Sequence, residues 1–106
     1  MTNGSFFEDI IVSDEEVKRE KGKARSLRQT AWWKRKIDRG LCYYCHKKVG
    51  RDHLTMDHLV PLSRGGKSTK GNIVAACKTC NNKKKYLLPI EWEEYLASLS
   101  ESHPPP

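Results

Sequence analysis

Two Cys-x-x-Cys pairs enclosing a β-prone run, a long cationic helical stretch before them and a shorter helical stretch after them predict a small α+β domain. The pairs, Cys42/Cys45 and Cys77/Cys80, are separated by 31 residues and offer four thiols to one metal ion. A chain of 106 residues buries only about two-thirds of its unfolded surface, so such a staple is expected to matter. The organisation read from the sequence is a leader over 1–12, a basic helical arm over 13–40, a cysteine-bearing core over 41–88, a C-terminal helix over 89–100 and a disordered tail over 101–106.

Each element has a local reason. In the leader, Phe6, Phe7, Ile10 and Ile11 could dock on the domain. Ser13 followed by Glu16 fits a capping box and predicts a helix start. The spacings Ala24–Leu27–Ala31 and Trp33–Ile37 continue that helix to a stop at Gly40. Gly22 is its weak point, costing about 1 kcal/mol against alanine. Trp33, with Ile37 one turn on, reads as core, whereas Trp32 is open to stacking on a base. HLTMDHLV, residues 53–60, is β-prone and stops at Pro61. Residues 63–72 form a glycine-rich loop with three basic residues, and Ile73–Ala76 is a short apolar run. Residues 78–86 suit a short helix. Pro89 opens a last one through Trp92, Tyr95, Leu96 and Leu99.

The charge is unevenly placed. Residues 18–85 hold all 20 lysines and arginines and only four acids, a balance of +16, while the two ends carry −9. A cationic middle of this kind is the footprint of a polyanion binder. Arg25 and Arg28 on the arm are candidate phosphate contacts. Arg64, Lys67 and Lys70 in the loop either track a nucleic-acid backbone or are solvated surface. Lys84, one of three consecutive lysines, either touches a phosphate or is surface. Mean hydropathy is −0.76, and no stretch approaches the roughly 18 apolar residues of a membrane span. The N-terminus has no secretory pattern. A cytoplasmic location is therefore expected, where paired cysteines hold metal more often than they form disulfides.

Two thiolates on each of two tight knuckles complete a tetrahedral Zn–S₄ site with no open position, so this zinc is expected to be structural. Cys42-Tyr-Tyr-Cys45-His46 also reads as a haem-attachment pattern, but that would leave Cys77 and Cys80 without a role. His46, His53 and His103 carry no motif support.

Between and beside the knuckles, Asp57-His58 ends the β-prone run, Asn72 closes the glycine loop and Asn81 follows the last cysteine. The order DH–x₂–P–x–S–x–GG–x₅–N–x₄–CxxCN–x₂–K, over residues 42–84, resembles the HNH endonuclease family and its ββα-metal fold, in the four-cysteine zinc branch. It involves Asp57, His58, Pro61, Ser63, Gly65, Gly66, Asn72, Cys77, Cys80, Asn81 and Lys84.

The resemblance implies metal-dependent hydrolysis of DNA phosphodiester bonds, by nicking or double-strand cleavage, leaving 5′-phosphate and 3′-hydroxyl ends. His58 would be the general base, Asp57 and Asn81 would hold the catalytic ion, and Asn72 would brace the loop behind His58. Many relatives have histidine where Asn81 stands. With no imidazole ligand, a hard ion such as Mg²⁺ or Mn²⁺ is favoured. Histidine suits the base role because its ordinary pKa, near 6.5, leaves it largely neutral at physiological pH. The alternative is a non-catalytic zinc-containing nucleic-acid-binding module. DNA is the expected partner, with neither a membrane nor a small-molecule cofactor, and the oligomeric state is left open. One tension stands: neighbours on a regular strand point to opposite faces, so Asp57 and His58 meet only if the strand ends or bulges there.

Overall fold

The computed structural model describes residues 11–101. The leader residues Phe6, Phe7 and Ile10 and the tail beyond residue 101 lie outside them. Ser13 caps helix α1 (Asp14–Arg28), its hydroxyl oxygen accepting the Glu16 N–H at 3.1 Å. The capping box thus sets the helix start where it was expected.

The single long basic helix, however, is two. Helix α2 (Ala31–Asp38) begins afresh after Thr30. The Thr30 hydroxyl donates to the Leu27 carbonyl at 2.6 Å and accepts the Trp33 N–H at 3.3 Å. One side chain thereby closes the first helix and caps the second, a competition with helical bonding that threonine is built to win. The apolar spacing runs through this break, which is why periodicity alone joined the two helices. Gly40, at φ +72°, ends α2 with its N–H on the Ile37 carbonyl at 2.9 Å.

Strands β1 (Leu54–His58) and β2 (Ile73–Cys77) form an antiparallel pair, with Asp57 opposite Val74 and His58 opposite Ile73. Helix α3 (Lys78–Lys84) leaves the end of β2 directly, and α4 (Pro89–Glu101) follows. Every residue of β2 is buried. Trp33 packs with Ile73 and Ala75, with Leu27, Trp32, Ile37 and Met56 against them. Trp33 is core as expected. A second cluster gathers Cys42, Ala76 and Cys77 beside the other two cysteines. The fold is the small α+β arrangement expected: a two-stranded sheet, four helices and a thiol cluster among the described residues.

The turn between the strands needs its glycines. Gly65 sits at φ +93°, where only glycine is unstrained. A Cβ on Gly66 would lie 1.8 Å from the Val60 carbonyl oxygen. Among the described residues, no helix is long and apolar enough to cross a membrane.

Candidate active site and metal centre

The thiol cluster comes from three places: the knuckle after α2, the end of β2 and the first turns of α3. The four sulfurs lie within 4.8 Å of one another, and Cys45 Sγ is 3.9 Å from Cys77 Sγ. Four thiolates about 2.3 Å from one zinc ion in a tetrahedron lie roughly 3.8 Å apart, so the donor set fits zinc. Burial opposes ionisation of Cys42, but the N–H groups of Cys45, Cys77 and Tyr44 outweigh it and bring this thiol down to about 7. Burial and the neighbouring sulfurs push Cys80 up. A cation among them relieves that crowding.

Tyr44 ties this cluster to Asp57. Its N–H donates to Cys42 Sγ at 3.3 Å, and its hydroxyl donates to Asp57 Oδ2 at 2.5 Å. Burial, reinforced by the bond to Asp57, holds the phenol well above its ordinary range, so it remains a donor. Its ring packs edge-on against Trp92 of α4.

Lys84 takes a place that neither sequence reading gave it. It is fully buried, so it is neither a phosphate contact nor solvated surface. Its Nζ donates to the carbonyls of His58 at 3.2 Å, Leu59 at 3.0 Å and Leu87 at 3.1 Å, and lies 3.7 Å from Asp57 Oδ2. Burial lowers the ammonium below the ordinary lysine range while Asp57 opposes that shift. Three carbonyls and a carboxylate give a buried ammonium the partners it requires. Replacing Lys84 by methionine is expected to cost about 3–5 kcal/mol, because Asp57 and three carbonyls lose their partner. Urea unfolding measures this, and a loss below about 1 kcal/mol would contradict it.

Asp57 and His58 do point to opposite faces, yet they share one hollow because β1 ends at His58. Asp57, with Thr55 on the same face, looks toward Tyr44 and α3. His58 looks toward α1, its Nε2 lying 3.0 Å from Ser68 Oγ. Both line a hollow of about 220 Å³ at the strand end, with Lys21, Lys85 and Tyr86 also in its wall. Strand termination rather than a bulge reconciles the two.

Ser68 Oγ donates to the Glu20 carbonyl at 2.5 Å. Its single proton is thereby committed, so toward His58 the hydroxyl oxygen can only accept. Nε2 of His58 carries the proton, and Nδ1 is left with its lone pair. Burial holds this imidazole below its ordinary pKa. Arg28 and Lys84 add to that shift, and Asp57 and Glu20 oppose it. A group lowered below 6.5 is neutral at pH 7.

Asn72 ties the loop behind the imidazole through hydrogen bonds to Val60 and Lys67. Its Oδ1 accepts the Val60 N–H at 2.9 Å, and its Nδ2 donates to the carbonyls of Val60 at 3.1 Å and Lys67 at 2.9 Å. Asn81 Nδ2 donates to Thr55 Oγ1 at 2.8 Å, leaving its oxygen as the atom for other work. Of the basic candidates, Arg25 and Arg28 are exposed, Arg28 reaching Met56 Sδ at 3.7 Å. Arg64 is held by Glu91 at 2.6 Å, Lys67 lies 3.9 Å from Glu16, and Lys70 lies over the Trp32 ring. Sequence reasoning singled out neither Glu20, Ser68 and Tyr44 nor the lysines of the hollow, Lys21 and Lys85. Tyr44 sits inside a knuckle read only for its cysteines. Glu20 looked like one acid lost in a basic arm.

A strand pair running into a helix, with thiols at one end and a carboxylate and a neutral imidazole at the other, defines a small ββα metal-binding module. Residues 42–93 match the family model for the HNH endonucleases, and that segment is of the HNH endonuclease family. The chain is similar to the type IV methyl-directed restriction enzyme EcoKMcrA of Escherichia coli K12, 33% identical over 60 residues. This covers 51% of the chain and 22% of the relative. It is also similar to the CRISPR-associated endonuclease Cas9 of Actinomyces naeslundii, 39% identical over 44 residues, covering 41% of the chain and 4% of Cas9. The chain thus matches only a small part of the length of either relative.

Proposed function

We propose that this chain is a metal-dependent endonuclease that hydrolyses DNA phosphodiester bonds, with His58 as general base. The observation that carries this reading is the convergence of Asp57 and His58 on one hollow, with two exposed lysines in its wall, inside the HNH segment. Zinc on Cys42, Cys45, Cys77 and Cys80 is structural. Asp57 and Asn81 would hold a second, catalytic ion of the Mg²⁺ or Mn²⁺ type. Their oxygens are hard donors, and the bond from the Asn81 amide to Thr55 directs its nitrogen away from that duty. Such an ion, when bound, neutralises charge on the phosphoryl group and the leaving oxygen.

The protein's own residues do the rest. Nδ1 of His58 takes a proton from the attacking water, which is possible because the ring is neutral and its Nε2–H is held by Ser68. Tyr44 and Lys84 orient Asp57 through Oδ2. Asn72 keeps the loop beyond His58 closed. The exposed cations Lys21 and Lys85 at the hollow, with Arg25 and Arg28 on the arm, offer sites for the phosphate backbone. The arm over 13–40 is thus a DNA-binding extension of the core over 41–88. The four free thiols suit a cytoplasmic setting.

Incubating zinc-loaded protein with supercoiled plasmid and Mg²⁺ or Mn²⁺ is expected to yield nicked circles, and chelation is expected to stop it. Protein that binds DNA with a steep salt dependence yet leaves the plasmid intact with every divalent ion tried would overturn catalysis in favour of a binding module.

A further inference from the structure

Glu20 is a charged residue that the basic arm buries almost completely, with 3% of its surface exposed. A carboxylate taken out of water needs charged or hydrogen-bonded partners, and Glu20 finds one in Lys23 of its own helix and another in a residue of the glycine loop. Its Oε1 accepts the Ser68 N–H at 2.7 Å, its backbone carbonyl accepts the Ser68 hydroxyl at 2.5 Å, and its Oε2 pairs with Lys23 at 3.2 Å. Ser68, itself buried, then presents its oxygen to His58 Nε2 at 3.0 Å. The chain of contacts runs from α1, across 48 residues of sequence, to the imidazole.

We propose that Glu20 and Ser68 are the positioning pair of His58, so that helix α1, which precedes the HNH segment, is a working part of the catalytic centre. The role of His58 rests on the reading above; the tautomer imposed on it does not. An acceptor fixed at Nε2 selects the Nε2–H form and holds the ring plane, and both follow from the commitment of the serine proton to the Glu20 carbonyl. A loop docked on α1 merely for stability would need the two bonds between Glu20 and Ser68 but not the third to His58.

Ser68→Ala and Ser68→Thr variants of the full, zinc-loaded chain separate these roles. Imidazole ¹⁵N spectra at neutral pH are expected to show His58 as the Nε2–H tautomer in the wild type and in Ser68→Thr. In Ser68→Ala the two tautomers should mix. The maximal nicking rate of Ser68→Ala is expected to fall roughly tenfold to a hundredfold, with KM for plasmid unchanged, and Ser68→Thr is expected to restore it. Glu20→Ala, which frees the Ser68 N–H, is expected to shift the spectrum in the same direction. If Ser68→Ala does not fold, Ser68→Cys, with its weaker acceptor, serves in its place. A wild-type tautomer in a folded Ser68→Ala or Ser68→Cys would overturn the positioning role. If the wild type proves inert on DNA, the nuclease reading fails, and the spectra still decide the pair.

Discussion

Replacing His58 by alanine is expected to lower the rate of plasmid nicking by about 10²–10⁴-fold, the usual contribution of a positioned general base. The fold should survive. His58 is half-buried at the end of β1, and its ring makes a hydrogen bond to a serine that keeps two other bonds to Glu20. Zinc content should also be unchanged, since no thiol contacts the ring among the contacts described. Single-turnover nicking at saturating protein, with circular dichroism and zinc analysis on the same samples, checks all three. A His58→Ala protein that nicks within a factor of about three of the wild type would remove His58 from the base role, since that falls far short of a base's contribution.

Replacing Cys77 by serine is expected to unfold the domain. Cys77 is buried at the junction of β2 and α3, paired in register with Leu54, and its sulfur is one of four in the cluster. Structural zinc sites of this kind contribute about 10–16 kcal/mol of binding energy. The net stability of a domain is only about 5–15 kcal/mol. Losing one of four ligands therefore removes an amount comparable with everything the fold has in reserve. Far-ultraviolet circular dichroism should fall and thermal unfolding should lose its cooperative transition. Strong chelators acting on the wild type should do the same, reversed by adding zinc. A Cys77→Ser chain that unfolds at the wild-type temperature would sink the structural assignment.

Much of this was legible in the residues themselves. Ser13 and Glu16 place a helix start through a purely local hydrogen bond, and the pairs Cys42/Cys45 and Cys77/Cys80 announce a cluster through spacing alone. Local chemistry is readable because few other elements can change it. The break at Thr30 was not, since a hydroxyl that closes one helix and opens another leaves the apolar spacing intact. Lys84 was misplaced for a different reason. In a run of three lysines, composition cannot tell which one meets a carboxylate and two carbonyls supplied by a strand end 25 or more residues away in sequence, with a third carbonyl from Leu87 close by. The link from Glu20 through Ser68 to His58 is of the same kind. It exists only when an arm, a loop and a strand end meet.

Tyr44 has one further consequence. Its main chain belongs to a thiol knuckle and its phenol to the carboxylate at the strand end. The two centres are therefore not interchangeable parts. A knuckle transplanted from another zinc protein, whatever its affinity for the metal, would leave Asp57 short of a donor unless tyrosine stood at the third position of its Cys-x-x-Cys. The scaffold can be re-engineered around its metal only by carrying that one aromatic side chain along.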